Sequence, residues 1–173
     1  PYQFRQFWMQ LSDIDIEKML PQFSLRSMDE INEILTEQRA RPESRVAQRT
    51  LARELTELLH GEESAVAAEQ AADVLFGANP ISASPAALHL IASEVAGSAM
   101  GIAALGDAVS VLVLTGLATS NTEARRLLTQ RSVRANGEQI DEHTKLDKIP
   151  LLHSRWLLLR KGKTAYHLID FQG

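Results

Sequence analysis

The sequence has 173 residues, of which 45% are hydrophobic, enough to build the core of one compact domain or of two small ones. It contains no cysteine, which excludes disulfides, thiolate zinc sites and a cysteine nucleophile. No uninterrupted apolar run reaches about 18 residues, so no membrane span is predicted and a cytoplasmic protein is expected. The chain begins at Pro1 without a charged and apolar leader, which indicates a piece of a longer protein and not a signal peptide.

The net charge of −4 is divided unevenly along the chain. Residues 1–106 contain 8 Lys and Arg against 15 Asp and Glu, whereas residues 107–173 contain 10 against 7. An acidic half followed by a basic half predicts two modules, of which the second could meet a polyanion.

The first half shows the apolar spacing and the capping residues of α-helices. Ser27 and Glu30 form a capping box, in which each side chain accepts from an amide of the other residue. Pro21 is expected to end the second helix, and Pro42 is expected near the first turn of a long helix. The predicted helices are "YQFRQFWMQL", with Phe7 and Trp8 packed in the bundle, then Ser12 or Asp13 to Leu20, one opened by Ser27, Pro42 to His60, and Glu62 to Phe76.

The middle of the chain changes character. Residues 77–106 are rich in small residues and carry Glu94 as their one charged residue, which predicts a short helix after Ser84-Pro85 and a flexible connection. The predicted organisation is therefore a helical module over residues 1–78, a linker over 79–106 and a second module over 107–173, with loose coupling between the modules.

The second module mixes helices with hairpins. Asp107 is expected to cap one short helix, and Ser120 with Glu123 is expected to form a capping box that opens a second helix through Gln130. "SVRA", the turn Asn136-Gly137 and "EQI" predict a β-hairpin, and "WLLLR" and "AYHLIDF" predict two further strands. The predicted fold class is thus a mostly α helical bundle followed by a small α+β domain.

Catalytic signals are weak. The histidines never occur in a metal-ligand spacing, and GxSxG, GxGxxG and phosphate-cradling glycine loops are absent. The sequence therefore predicts neither a complete active site nor a metal site.

The basic residues of the second module favour RNA binding. Arg125 and Arg126 are expected on the exposed side of a helix, because Ala124, Leu127 and Leu128 take the inward positions. Such a cluster suits contacts to phosphates, which position a nucleic acid without reading its sequence. The alternative is a solvated surface with some pairing to Glu123 and Glu138. The RNA-binding candidates in this module are Arg125, Arg126, Arg131, Arg134, Arg160, Lys161 and Lys163, with the amide of Asn136 at the hairpin tip.

Four arginines recur every four residues in the helical half and predict a stripe, formed by Arg41, Arg45, Arg49 and Arg53. Arg45 and Arg49 are candidates for RNA contacts. The alternative is internal ion pairing, because Glu57 lies four residues after Arg53.

The stretch "EARRLLTQRSVRANGEQI" resembles the S-four-like RNA-binding domain. Asn121 stands where that family usually has Arg, and Ser132 stands where it usually has Gly. The segments "PYQFRQFWMQLSDIDIEKMLPQFSLRSMDEI", "AQRTLARELTELLHGEE" and "RKGKTAYHLIDF" are similar to the C-terminal part of bacterial tyrosyl-tRNA synthetases. The residues that match the S-four-like pattern are Ala118, Ser120, Ala124, Arg125, Leu127, Val133, Asn136 and Gly137.

The resemblance implies a role in recognising tRNA for tyrosine through its anticodon arm and long variable arm. It also implies that ATP and magnesium belong to a catalytic domain that precedes this region, and that the homodimer contact lies mainly there. Asp13 and Asp15 are implied as candidates for reading an anticodon base; their alternative role is that of acids at a helix start. A stand-alone S-four-like protein that binds ribosomal RNA and a helical adaptor without RNA remain the rival interpretations.

Overall fold

The computed structural model describes residues 1–101 and 105–171, in two compact units that comprise residues 1–69 and 70–173. The fold class predicted from the sequence, helices followed by a small α+β sheet domain, is confirmed. The helices are α1 (Tyr2–Met9), α2 (Asp13–Phe23), α3 (Met28–Ala40), α4 (Val46–His60), α5 (Glu62–Leu75), α6 (Pro85–Glu94), α7 (Ala108–Leu114) and α8 (Asn121–Thr129). The strands are β1 (Ala96–Ala99), β2 (Val133–Ala135), β3 (Glu138–Gln139), β4 (Trp156–Lys161) and β5 (Ala165–Asp170). None of the described helices is long and apolar enough to cross a bilayer.

The boundary between the two units falls within α5, between residues 69 and 70, whereas the sequence predicts the end of the helical module at residue 78. The predicted linker over residues 79–106 contains α6 and β1, and β1 is part of the sheet of the second unit. The short helix predicted after Ser84-Pro85 is present as α6, and Ser84 Oγ caps it by accepting from the amide of Ala87 at 3.2 Å. The division into a module, a linker and a second module stays a prediction.

The first unit encloses a core of aliphatic side chains from α2, α3 and α4. The capping box at the start of α3 is confirmed: Glu30 Oε2 accepts from the amide of Ser27 at 2.9 Å, and Ser27 Oγ accepts from the amide of Glu30 at 3.3 Å. The hydrogen bonds from Ser27 hold the pKa of Glu30 below its usual value. The core residues are Ile16, Leu20, Ile31, Leu35, Ala47, Leu51 and Leu55.

Three expectations for the first unit were wrong. Pro21 does not end α2, which continues to Phe23, because a proline in the last turn removes one helical hydrogen bond and the amide of Ser24 still reaches Leu20 O at 3.0 Å. Pro42 lies in a short 3-10 turn, and α4 begins only after Arg45. Phe7 is 60% exposed.

The second unit is organised around a five-stranded sheet in the order β1-β5-β4-β2-β3. The β1–β5 pair is parallel and the other pairs are antiparallel. The hairpin between β2 and β3 has φ angles of 47° at Asn136 and 89° at Gly137, the type I′ turn that an Asn-Gly pair favours. The two predicted C-terminal strands are present as β4 and β5, whereas β1 was not predicted.

The two faces of this sheet carry different side chains, because side chains alternate along a strand. Leu157, Leu159 and Ile169 belong to the same core as the buried residues of α7 and α8. On the opposite face, Trp156 contacts His89 of α6 with a ring separation of 5.1 Å, and Tyr166 donates from its hydroxyl to Val74 O at 2.9 Å. By this alternation, Arg134 and Arg160 share the face of Trp156, and Lys161 lies on the face of Leu157 and Leu159.

Candidate nucleic-acid interface

Helix α8 presents two arginines to solvent. Ala124, Leu127 and Leu128 are buried as predicted, which leaves Arg125 and Arg126 on the exposed side. Within the described parts of the chain, neither guanidinium forms an ion pair with a carboxylate. Two unpaired cations on one turn of a helix form an accessible site for phosphate groups.

The start of α8 is held by an acid that also meets a lysine. Ser120 Oγ accepts from the amide of Glu123 at 3.2 Å, as a capping box requires. The reciprocal bond differs from the prediction, because Glu123 Oε2 accepts from the amide and hydroxyl of Thr119 at 2.8 and 2.6 Å. Glu123 Oε1 also lies 3.9 Å from Lys161 Nζ, so Lys161 is partly neutralised.

The hydrogen bonds from Thr119 hold the pKa of Glu123 below its ordinary value, and Lys161 and Arg126 lower it further. Glu123 is therefore charged at neutral pH. The alternative to RNA binding, in which basic residues pair with Glu123, therefore applies to Lys161.

Arg134 and Arg160 lie on the other face of the sheet. They are opposite each other in the β2–β4 register, one residue away from the Val133–Lys161 pair whose side chains point toward α8. Arg134 Nη1 donates to Gly137 O at 2.7 Å, and Arg160 Nε donates to Gly162 O at 2.8 Å. The basic candidates that the sequence offers for RNA binding in this module are thus divided between the two faces of the sheet.

The backbone conformation at the end of α8 changes which residue aligns with the glycine of the S-four-like pattern. Arg131 has a φ of 52°, and the amide of Ser132 donates to Leu127 O at 3.1 Å, the arrangement that closes a helix through a left-handed residue. Glycine is the residue best suited to such a conformation, so the family glycine corresponds to Arg131 and not to Ser132. The side chains of Arg131 and Lys163 are exposed.

Asn136 was expected to offer its amide at the hairpin tip, and the structure contradicts this. The residue is 4% exposed, its Nδ2 donates to Pro150 O at 2.8 Å, and its Oδ1 accepts from the amide of Leu158 at 2.8 Å. Asn136 therefore ties the hairpin to β4 and to the loop before it.

The predicted stripe of arginines does not form in the helical unit. Arg41 follows α3 and pairs with Glu37, whereas Arg45 precedes α4 with a φ of 50°. Arg45 Nη2 donates to the carbonyls of Met9 and Leu11, which satisfies backbone groups at the C-terminal end of α1.

The other two arginines of that set lie on α4. Arg53 is engaged by Glu69 at 2.8 Å and by Glu57 at 3.5 Å, the pair that the sequence offered as an alternative. Arg49 is exposed and has no carboxylate partner in the described chain. Arg49 is thus the cation of this set that is available to an outside phosphate.

The two candidate acids at the start of α2 differ in their contacts. Asp13 Oδ1 accepts from Gln38 Nε2 at 2.9 Å and from Gln48 Nε2 at 3.0 Å. Asp15 is exposed, and its Oδ2 accepts from Ser12 Oγ at 2.7 Å. Asp13 joins three helices, whereas Asp15 belongs only to the helix start.

Arg134 and Arg160 lie beside residues that are not among the candidates predicted from the sequence. Gly77, Asn79 and Pro80, together with Tyr166, line a cleft that contains both arginines. No local motif joins residues 77–80 to strands more than fifty positions later in the chain, so spacing could not reveal this cleft.

Two family models match the two parts of the chain. Residues 1–77 match the model described as tRNA synthetases class I (W and Y), and residues 97–169 match the model described as tyrosine–tRNA ligase SYY-like C-terminal domain. The relative from Streptomyces griseus, named tyrosine–tRNA ligase, is 40% identical over 167 residues, which is 94% of this chain and 38% of the relative. The chain belongs to the tyrosine–tRNA ligase family.

Further ligases of the family agree with this. The relative from Streptomyces avermitilis is 34% identical, over 100% of this chain and 41% of the relative's length. The relative from Aeromonas hydrophila is 35% identical, over 100% of this chain and 40% of the relative's length. The chain thus spans about two fifths of the length of these ligases. A crystal structure of a C-terminally truncated Aspergillus nidulans mitochondrial tyrosyl-tRNA synthetase is 36% identical over 43% of this chain and 22% of that chain, with a TM-score of 0.42.

The family membership confirms the resemblance drawn from the sequence. Because the ligases match both modules, in the same order, a stand-alone ribosomal RNA-binding protein and a helical adaptor are not favoured.

Proposed function

We propose that this chain is the tRNA-recognition region of a tyrosine–tRNA ligase. It binds the anticodon arm and the long variable arm of tRNA for tyrosine, so that the catalytic domain of the ligase can attach tyrosine with the use of ATP. The observation that carries the proposal is the pair Arg125 and Arg126, exposed on α8 and without a carboxylate partner in the described chain, in a domain that matches the ligase family.

The residues of this interface follow from their exposure. Arg125 and Arg126 contact phosphates, with Arg131 and Lys163 as further cations of the same unit and Arg49 as an exposed cation of the helical unit. Phosphate contacts supply affinity, whereas the shape of the variable arm and a few base contacts supply identity. Asp13 and Asp15 are both exposed at the start of α2, and Asp15 is the better placed for reading a base because Oδ1 of Asp13 already accepts from two buried glutamines.

The rest of the ligase completes the proposal. ATP and magnesium bind in its catalytic domain, and the homodimer forms mainly through that domain. Activation of tyrosine and its transfer to tRNA then take place in the cytoplasm, with the present chain holding the tRNA.

A binding titration over a salt series tests the proposal. The chain is titrated with tRNA for tyrosine and, in parallel, with a tRNA that has a short variable arm. Each phosphate contact contributes about 0.7–0.9 to the slope of log affinity against log salt, so several arginines predict a slope of a few units. Preferential and salt-sensitive binding of the tyrosine tRNA supports the proposal, equal binding moves identity to the catalytic domain, and no binding at low salt contradicts it.

A further inference from the structure

A cleft of about 410 Å³ lies in the second unit, on the face of the sheet opposite α8. The segment of residues 77–80 forms one side, and the β2–β3 hairpin with β4 and β5 forms the other. Its volume falls in the range typical of small-ligand sites. The polar lining side chains are Asn79, Arg134, Glu138, Arg160 and Tyr166.

Two arginines are placed in this cleft without a compensating acid. Arg134 and Arg160 are directly paired across β2 and β4, an arrangement of like charges that is unfavourable when nothing lies between them. Glu138 also lines the cleft, but over the described residues it forms no ion pair with either guanidinium. A negatively charged group in the cleft would remove the repulsion.

Both guanidinium groups are held in place before any ligand arrives. Each donates one hydrogen bond to a carbonyl of its own turn, Arg134 to Gly137 and Arg160 to Gly162. Arg160 also lies over the ring of Tyr166, with its Cζ 5.6 Å from the ring centre. A guanidinium carries five N–H donors, so both retain donors for a phosphate oxygen.

The walls of the cleft are fixed by close contacts. The Tyr166 hydroxyl bonds to Val74 O at 2.9 Å, which ties the end of α5 to β5. A Cβ at Gly77, where φ is 111°, would lie 3.1 Å from Arg160 Nη1. A Cβ at Gly137 would lie 2.8 Å from Asn79 Oδ1. The first glycine allows the segment to approach Arg160, and the second allows the hairpin to approach the segment.

We propose that this cleft binds the phosphate group of a nucleotide between Arg134 and Arg160. The phosphate has two possible sources, a nucleotide of bound RNA or a free mononucleotide, and both present the same chemistry to the arginines. In its RNA form the inference rests on the proposed function, whereas in its free-nucleotide form it is independent of it.

Adenosine 5′-monophosphate is the probe, and adenosine, which lacks the phosphate, is its control. The ¹⁵N-labelled chain is titrated with each, and the arginine Nε–Hε signals are followed by NMR. Binding of the monophosphate is expected to shift the signals of Arg134 and Arg160, and adenosine is expected to leave them unchanged. Equal responses to both compounds, or none at all, would overturn the inference.

Matched variants locate the binding. Arg134→Gln and Arg160→Gln are each expected to weaken binding of the monophosphate by about tenfold or more, since each removes charge-assisted hydrogen bonds. Glu138→Gln removes the opposing charge and should strengthen binding. Lys148→Gln, which removes an exposed cation elsewhere in the unit, is the control and should change nothing. Unchanged affinity in both arginine variants would overturn the inference.

Folding and ligand source are then controlled separately. The amide spectrum of each variant checks the fold, and Gly77→Ala provides a second way to displace the Arg160 guanidinium if Arg160→Gln does not fold. Release of the monophosphate on addition of tRNA assigns the cleft to an RNA phosphate, and retention assigns it to a free nucleotide. If the chain binds tRNA but the monophosphate does not shift the signals of Arg134 and Arg160, this inference alone is refuted. If the monophosphate shifts those signals but the chain does not bind tRNA, the proposed function alone is refuted.

Discussion

Gln48 donates a hydrogen bond from its Nε2 to Oδ1 of Asp13 at 3.0 Å, which joins α4 to the start of α2. Gln38 of α3 donates to the same oxygen at 2.9 Å. Both glutamines are buried, with exposed fractions of 0% for Gln48 and 2% for Gln38. Asp13 is itself exposed, but one of its oxygens accepts from two buried amides of the helical unit, in a residue that the sequence selects for contact with a base.

Replacing Asp13 is expected to destabilise the helical unit. Asp13→Ala removes one of the two acceptors that each buried glutamine amide has, and the free energy of unfolding should fall by about 1–3 kcal/mol. Asp15→Ala, which removes an exposed acid from the same helix start, should cost less, about 0.3–1 kcal/mol. A urea titration that follows the amide signals of Leu20 and Leu51 measures both. An unchanged unfolding midpoint in Asp13→Ala, together with reduced tRNA affinity, would favour base reading by Asp13 instead.

Arg45 and Arg49 are expected to separate into a structural and a binding residue. Arg45→Ala removes the donors to the carbonyls of Met9 and Leu11 and should lower the free energy of unfolding by about 1–3 kcal/mol. Arg49→Ala should leave stability within about 0.5 kcal/mol of the parent but lower the salt slope of tRNA binding by about one unit. Urea unfolding and the salt-series titration distinguish the two. The same change in both measurements for both variants would contradict this separation.

Charge reversal on α8 should affect tRNA binding more than the same change elsewhere. Arg125→Glu combined with Arg126→Glu is expected to reduce affinity for tRNA by about tenfold or more at moderate salt, because two phosphate contacts become repulsive. Lys145→Glu combined with Lys148→Glu changes the net charge of the same unit equally, at two other exposed positions. Filter binding or fluorescence titration compares the pairs. Equal losses would mean that net charge, and not the α8 surface, governs the affinity.

The stability of the second unit should depend on pH through Glu123. Its folded-state pKa lies below the ordinary value, first because of the hydrogen bonds from Thr119. The carboxylate therefore contributes stability that is present above the ordinary pKa of a glutamate and is lost as the pH falls through the lowered pKa.

Glu123→Gln removes this dependence. The difference in urea midpoint between the parent and the variant should be largest near pH 7 and should shrink below about pH 4. A difference that stays constant from pH 7 to pH 3 would show that the charge of Glu123 is not what stabilises the helix start.

The hairpin should depend on the side chain of Asn136 and not only on its backbone conformation. Asn136→Gly retains the ability to adopt a φ of 47° but leaves the buried amide of Leu158 without its acceptor, at a cost of about 1–3 kcal/mol. Ser154→Gly is the matched control, because Ser154 also has a positive φ, of 56°, but is exposed. Thermal unfolding of both variants checks this, and similar stability would contradict the role given to the Asn136 amide.

Local signals predicted the fold well because the forces behind them act over a few residues. The capping box at Ser27 and the Asn136-Gly137 turn each involve neighbours in sequence, and both are present. The end of α2 was misplaced for a related reason: a proline lowers helix propensity, but in the last turn a single missing hydrogen bond does not decide where the helix ends.

The candidate site was less predictable, since it depends on pairing between distant strands. Exposure of Arg125 and Arg126 followed from the apolar residues beside them. The separation of Arg134 and Arg160 from α8 followed from the β2–β4 register, which no nearby residue specifies. Asn136 was misjudged because its partners, Pro150 and Leu158, lie in later segments of the chain.

Strand β1 lies at an edge of the sheet and pairs in parallel with β5, which the ribosome makes much later. During synthesis β1 must therefore remain unpaired while α7, α8 and three other strands are added. Its sequence, AGSA, has little apolar surface and a low preference for strands, which is why alternation did not predict it. The same composition makes the unpaired β1 segment a poor template for strand pairing with other nascent chains. The weak strand preference of β1 therefore also protects the chain from aggregation during synthesis.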